Sequence, residues 1–154
     1  EISCSLVGSE MCIRDSKVAI VYWSSTGNTE TMANCIAEGA GASATLLSCA
    51  DVTPDVLSGY DVVAFGCPAM GAEQLEEGEF EPMFSSVEGA LNGRKVALFG
   101  SYGWGDGQWM RDWCERAKSD GAVLYSEEGL ICNEAPDEDA QADCRKLGAA
   151  LAAW

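Results

Sequence analysis

Three short, almost wholly apolar runs constrain this chain most: KVAIVYW (17–23), YDVVAFG (60–66) and RKVALFG (94–100). Each is far shorter than the roughly 18 residues of a membrane span. Each is also rich in β-branched and aromatic residues, which favour strands. Side chains alternate between the two faces of a strand, so a run that is apolar throughout must be covered on both faces. Such strands belong in the middle of a parallel sheet with a layer packed on each side. ASATLLS (42–48) is a weaker strand candidate, and AVLYSEEGLIC (122–132) reads as a strand interrupted by its charged middle.

Between these runs the apolar spacing changes to that of helices. Thr29, Met32, Ala33, Ile36 and Ala37 form one stripe, and Phe80, Met83, Phe84, Val87 and Leu91 a second. Trp109, Met110, Trp113, Cys114 and Ala117 form a third, and Cys144, Leu147, Gly148, Leu151 and Trp154 the last. Alternating strands and helices predict an α/β domain, doubly wound around five parallel strands with helices on both faces. A chain of 154 residues fits one such domain.

The first sixteen residues, EISCSLVGSEMCIRDS, do not share the pattern. They show no clear periodicity and lack the basic start and sustained apolar centre of a signal peptide. The piece LVGSEMCIRD resembles a translated transposase adapter. Residues 1–16 are therefore read as a non-native or disordered extension, with the native start close to Lys17 and residues 17–154 as the domain.

The net charge is −16, from 25 acidic and 9 basic residues. That balance argues against binding nucleic acid, whose phosphates require basic surface. It suits a protein that meets partners through their basic faces. Eight cysteines are present, none in a C-x-x-C pair, and no histidine accompanies them. This predicts neither a zinc site nor disulfides, in a reducing cytoplasm.

In a doubly wound fold the ligand sits at the carboxyl ends of the strands. The loops 24–29, 67–79 and 101–107 are expected there. The first, SSTGNT, combines Ser24, Ser25, Thr26, Asn28 and Thr29 with Gly27 at the start of a helix. Free N–H groups and the helix dipole favour an anion at such a place. An ordinary helix cap needs one such residue rather than five. The loop has no Lys or Arg, which phosphoryl transfer requires, so it reads as an anchor for a phosphate and not as a reaction centre. The third loop, SYGWGDG, sets Tyr102 and Trp104 among glycines, and the second, GCPAMGAEQLEE, carries Met70. An indole and a thioether are both suited to packing on a flat heterocycle.

VYWSSTGNTE, GCPAMG and FGSYGWGDG, in this order and spacing, resemble the flavodoxins, specifically the short-chain type of anaerobic bacteria. The resemblance runs from Lys17 to Trp154. It implies a flavodoxin-like sheet of order 2-1-3-4-5 and non-covalent FMN. The 5′-phosphate would lie in Ser24, Ser25, Thr26, Gly27, Asn28 and Thr29. The isoalloxazine would lie between Met70 and Trp104, within the segments Pro68, Ala69, Met70, Gly71, Ala72, Glu73 and Ser101, Tyr102, Gly103, Trp104, Gly105. Glu73 matches the family position that accepts from flavin N(3)–H. Two positions depart from the family pattern: Ser25 stands where glycine is common, and Ala72 where glycine or a polar residue is common.

The implied function is low-potential, one-electron transfer between redox enzymes by a monomer. No residue reads as a catalytic acid, base or nucleophile. The uncompensated phosphate and the glutamates of EQLEEGEFE oppose a further negative charge on the ring. One like charge at ~10 Å and an effective dielectric constant near 20 costs ~1.7 kcal/mol, or roughly 70 mV for one electron. An FMN-dependent NAD(P)H:quinone reductase is the enzyme alternative. A response-regulator receiver is excluded because Ser24–Ser25 and Cys67–Pro68 occupy its acidic positions.

Overall fold

The computed structural model describes residues 17–24, 27–41, 44–68, 78–102, 107–125 and 129–153. Six strands occur among them: β1 (Val18–Tyr22), β2 (Ala44–Ser48), β3 (Val62–Gly66), β4 (Lys95–Tyr102), β5 (Val123–Leu124) and β6 (Leu130–Asn133). The helices are α1 (Asn28–Ala40), α2 (Pro54–Leu57), α3 (Phe80–Val87), α4 (Gln108–Ser119) and α5 (Glu138–Ala153). All strand pairs are parallel, in the order β2-β1-β3-β4-β5, and β6 also pairs with β4. β5 and β6 are the two halves of the interrupted fifth strand. Val96 faces Leu124 and Phe99 faces Leu130, so six chain steps on one side span three on the other.

The apolar runs are buried on both faces, as their composition requires. Ala19, Val21, Val63, Phe65, Val96 and Leu98 face α3 and α4, whose Phe80, Phe84, Trp109 and Trp113 fill that side. Val18, Ile20, Val62, Ala64, Ala97 and Phe99 face α1 and α5. Aromatic edges order the first layer, with Trp113 meeting Phe80 at 5.4 Å and Phe84 at 5.8 Å, both near perpendicular. All of the expected stripe on α3 and α4 is buried. On α5, Cys144, Gly148 and Leu151 are buried and Leu147 is partly so, while Trp154 lies outside the described residues. The edge strand β2, the weak candidate, leaves Leu46 exposed.

α1 and α5 cross so closely that neither tolerates a side chain at the contact. A Cβ at Gly148 would overlap the carbonyl of Ile36, and one at Gly39 would overlap that of Arg145. Gly148→Ala is therefore expected to cost about 2–3 kcal/mol in urea unfolding. Gly89→Ala, with nothing within 4 Å of the added carbon, should change little by the same measurement.

On the opposite face Arg116 ties α4 to α3. Its Nη atoms donate to the two Glu81 oxygens at 2.7 and 2.8 Å, while Nη2 and Nε donate to Glu88 Oε1 and Oε2 at 2.7 and 2.8 Å. The guanidinium lies 4.9 Å over the Phe84 ring. Hydrogen bonding to Arg116 holds both carboxyls below their usual range. Asp120 follows at the C-terminal end of α4, where the helix dipole disfavours an anion. Burial first, then the adjacent Glu88, raise its carboxyl to about 6. A raised acid binds its proton more tightly when folded. Its stabilising contribution is thus full below pH 4 and is lost as pH rises through 6. Asp120→Asn should raise stability at pH 7–8 by about 1 kcal/mol and flatten the pH 4–6 region of a thermal-unfolding series.

Candidate cofactor site at the strand ends

The register aligns Tyr22 with Gly66, and Gly66 with Phe99. The chains leaving β1, β3 and β4 therefore emerge side by side, and the three expected loops share one edge of the sheet.

Gly27 begins α1 with φ of 94°, a left-handed conformation that glycine adopts freely. It has no side chain to cap the helix, and nothing lies within 4 Å of where a Cβ would stand. The first-turn N–H groups of a helix lack intrahelical partners, so this opening presents donors to an anion. Ser24 Oγ accepts from Gly27 N at 3.1 Å and closes the turn. The carbonyl of Gly27 accepts from Thr31 N at 2.9 Å and Thr31 Oγ1 at 2.9 Å. Glu30 is the acidic residue of this turn, and the Tyr22 hydroxyl donates to it at 3.4 Å. Burial, then Glu30, push the Tyr22 phenol up. Glycine, hydroxyls and backbone donors at the start of α1, in a 24–29 segment without Lys or Arg, fit a phosphomonoester held as an anchor.

The bases of the loops are braced to one another. Thr29 and Ser101 are buried, and their hydroxyls meet at 3.2 Å, joining the first loop to the third. The buried Trp109 indole donates to Cys67 O at 3.1 Å, joining α4 to the second loop. Cys67 N donates to Phe99 O at 3.2 Å. Trp23 N donates to Gly66 O at 3.0 Å, and its indole donates to Glu79 at 2.8 Å, joining the first loop to the second. Tyr102 O accepts from Glu134 N at 2.7 Å and Asn133 Nδ2 at 3.4 Å, which brings the end of β6 to the same edge. Glu134 has a positive φ of 59°.

Of the predicted site residues, Ser24, Gly27, Asn28, Thr29, Pro68, Ser101 and Tyr102 stand at this edge. Ser25, Thr26, Ala69, Met70, Gly71, Ala72, Glu73, Gly103, Trp104 and Gly105 lie outside the described residues. Glu81, one of the five glutamates read as a negative patch, is instead paired with Arg116. Trp23, Glu79, Trp109 and Asn133 join the edge without having been singled out for it. Their partners are 31 to 56 positions away in sequence, beyond any local signal. A cavity of about 390 Å³, lined by Leu98, Cys114, Leu130 and Leu147, opens at the break in the fifth strand and not at this edge. Among the described residues no group of three or more Cys, Asp or Glu side chains is arranged to hold a metal ion. No helix among them is long and apolar enough to cross a membrane.

An open, doubly wound parallel sheet with a glycine-opened helix start at the strand ends is an architecture in which nucleotides and flavins bind. The flavodoxin family model matches residues 20–148. The flavodoxin of Clostridium beijerinckii is 49% identical over 136 residues, which span 86% of this chain and 97% of that one. The flavodoxin of Megasphaera elsdenii is 46% identical over 138 residues, 88% of this chain and 98% of that one. The solution structure of the two-electron-reduced Megasphaera elsdenii protein superposes with a TM-score of 0.77, covering 88% of this chain and 98% of that chain. Oxidised flavodoxin 2 from Bacillus cereus, 30% identical, gives 0.75 over 89% and 98%. The chain belongs to the flavodoxin family. It is an electron carrier whose cofactor is FMN and which serves redox enzymes, and the quinone-reductase alternative is not favoured.

The buried hydroxyl pair allows a direct test of the bracing. Thr29→Val strands the Ser101 hydroxyl away from water and is expected to cost about 1–2 kcal/mol in apoprotein unfolding. Adding Ser101→Ala should cost less than the two single effects summed.

Proposed function

We propose that residues 17–154 hold FMN with its 5′-phosphate against Ser24, Ser25, Thr26, Gly27, Asn28 and Thr29. Its ring lies among Pro68, Ala69, Met70, Gly71, Ala72, Glu73, Ser101, Tyr102, Gly103, Trp104 and Gly105. The observation that carries this reading is the opening of α1 at Gly27, where φ is 94°, no side chain caps the helix and nothing lies within 4 Å of where a Cβ would stand. Bound FMN supplies one-electron chemistry. The protein orients it, excludes water from one side and offers no compensating positive charge in the phosphate loop. The potential of the second electron is therefore low.

The chain works as a monomeric carrier without substrate chemistry of its own. Its acidic surface, −16 overall, attracts the basic faces of reductases and oxidoreductases, and salt weakens the encounter. Cys35, Cys49, Cys67, Cys114 and Cys144 are buried as thiols, which fits a reducing cytoplasm. Residues 1–16 are dispensable.

Anaerobic reductive titration tests this reading. The expected result is one FMN per chain and two resolved one-electron steps, the second well below that of free FMN. A chain beginning at Lys17 should behave identically. An apoprotein that leaves FMN fluorescence unchanged, or a holoprotein that rapidly oxidises NADPH unaided, overturns it.

A further inference from the structure

Two of the braces beneath the site are buried and uncharged, but the third is not. The Trp23 indole donates to Glu79 Oε1 at 2.8 Å, across 56 positions of sequence. Each partner is positioned before they meet. The Trp23 ring packs on the aromatic face of the core, and its backbone N–H is held by Gly66 O. Glu79 directly precedes Phe80, which is fully buried against Phe84 and Trp113. The Glu79 carbonyl accepts from Met83 N at 3.3 Å as α3 begins. Its carboxylate therefore stands at a helix N-terminus, where the dipole favours an anion. An indole fixed by packing loses little freedom on bonding, unlike the two mobile side chains of an ordinary surface ion pair.

Trp23 immediately precedes Ser24, and Glu79 closes the second loop. The bond thus spans the base of the site between the loop assigned to the phosphate and a loop assigned to the ring. We propose that Trp23 is a positioning residue for the cofactor, setting through Glu79 the spacing at which the two loops meet the two ends of one FMN molecule. This rests on the FMN reading above. A ligand gripped at both ends gains from correct spacing, because ordering is done in advance. A ligand with only the ring does not need that spacing.

The test compares FMN with riboflavin, which lacks the phosphate, by fluorescence quenching of apoprotein. Trp23→Phe keeps an aromatic ring in the core and removes the donor. It is expected to weaken FMN about tenfold, equivalent to about 1.4 kcal/mol, and riboflavin less than threefold. Glu79→Gln keeps an acceptor oxygen and should stay within about threefold of the parent for FMN. Glu79→Ala should match Trp23→Phe, and the double substitution Trp23→Phe with Glu79→Ala should be no weaker than either alone. Unchanged FMN affinity in Trp23→Phe overturns the proposal. So does an equal loss for FMN and riboflavin, or a Glu79→Gln as weak as Glu79→Ala. A parent protein that binds no FMN overturns the cofactor reading as well, so the two failures are distinguishable.

Discussion

Parallel pairing of β1, β3 and β4 is the constraint from which the rest of the molecule follows. Parallel strands cannot be joined by tight hairpins, so each connection must cross a face of the sheet. With helices on both faces, every strand reaches the same edge before its chain turns away. The register places Tyr22, Gly66 and Phe99 level there. The N-termini of α1 and α4 follow at that edge, each opened by a glycine of positive φ. Helix starts bring unpaired N–H groups and partial positive charge. The sheet therefore gathers two helix N-termini at one edge of a strongly acidic chain.

Bracing ties the bases of three neighbouring loops together. The buried Thr29–Ser101 and Trp109–Cys67 contacts act where water is excluded, so losing either partner exposes a real desolvation cost. Charge is distributed differently. Arg116 gathers Glu81 and Glu88 on the flank between α3 and α4, while Glu79, two residues before Glu81, turns to the site edge and Trp23. A run of glutamates that is uniform in sequence is divided between two tasks by the direction in which each side chain leaves the start of α3.

Cysteine serves packing more than chemistry. Cys35 and Cys144 are buried on the α1–α5 face, and Cys132 approaches Met32 there at a sulfur–sulfur distance of 3.6 Å. Burial pushes the Cys144 thiol up to about 12 and the Cys132 thiol to about 11, which keeps both protonated and unreactive. The same face needs Gly39 and Gly148 because two helix backbones touch there.

Hydrophobic period determined the strands and helices from sequence alone, because burial on one or both faces leaves a local trace at spacing two or 3.6. KVAIVYW, the α3 and α4 stripes and the broken fifth strand were all legible in this way. SSTGNT reads as a phosphate loop on the same local ground, because its density of small donors exceeds what a helix cap needs. Other features were not legible: which hydroxyl finds which, that Trp109 supports the second loop while filling the core, that Glu81 is neutralised, and that Trp23 reaches Glu79. Those contacts join residues tens of positions apart. Their partners are chosen by strand register and helix packing, which no local window of sequence contains.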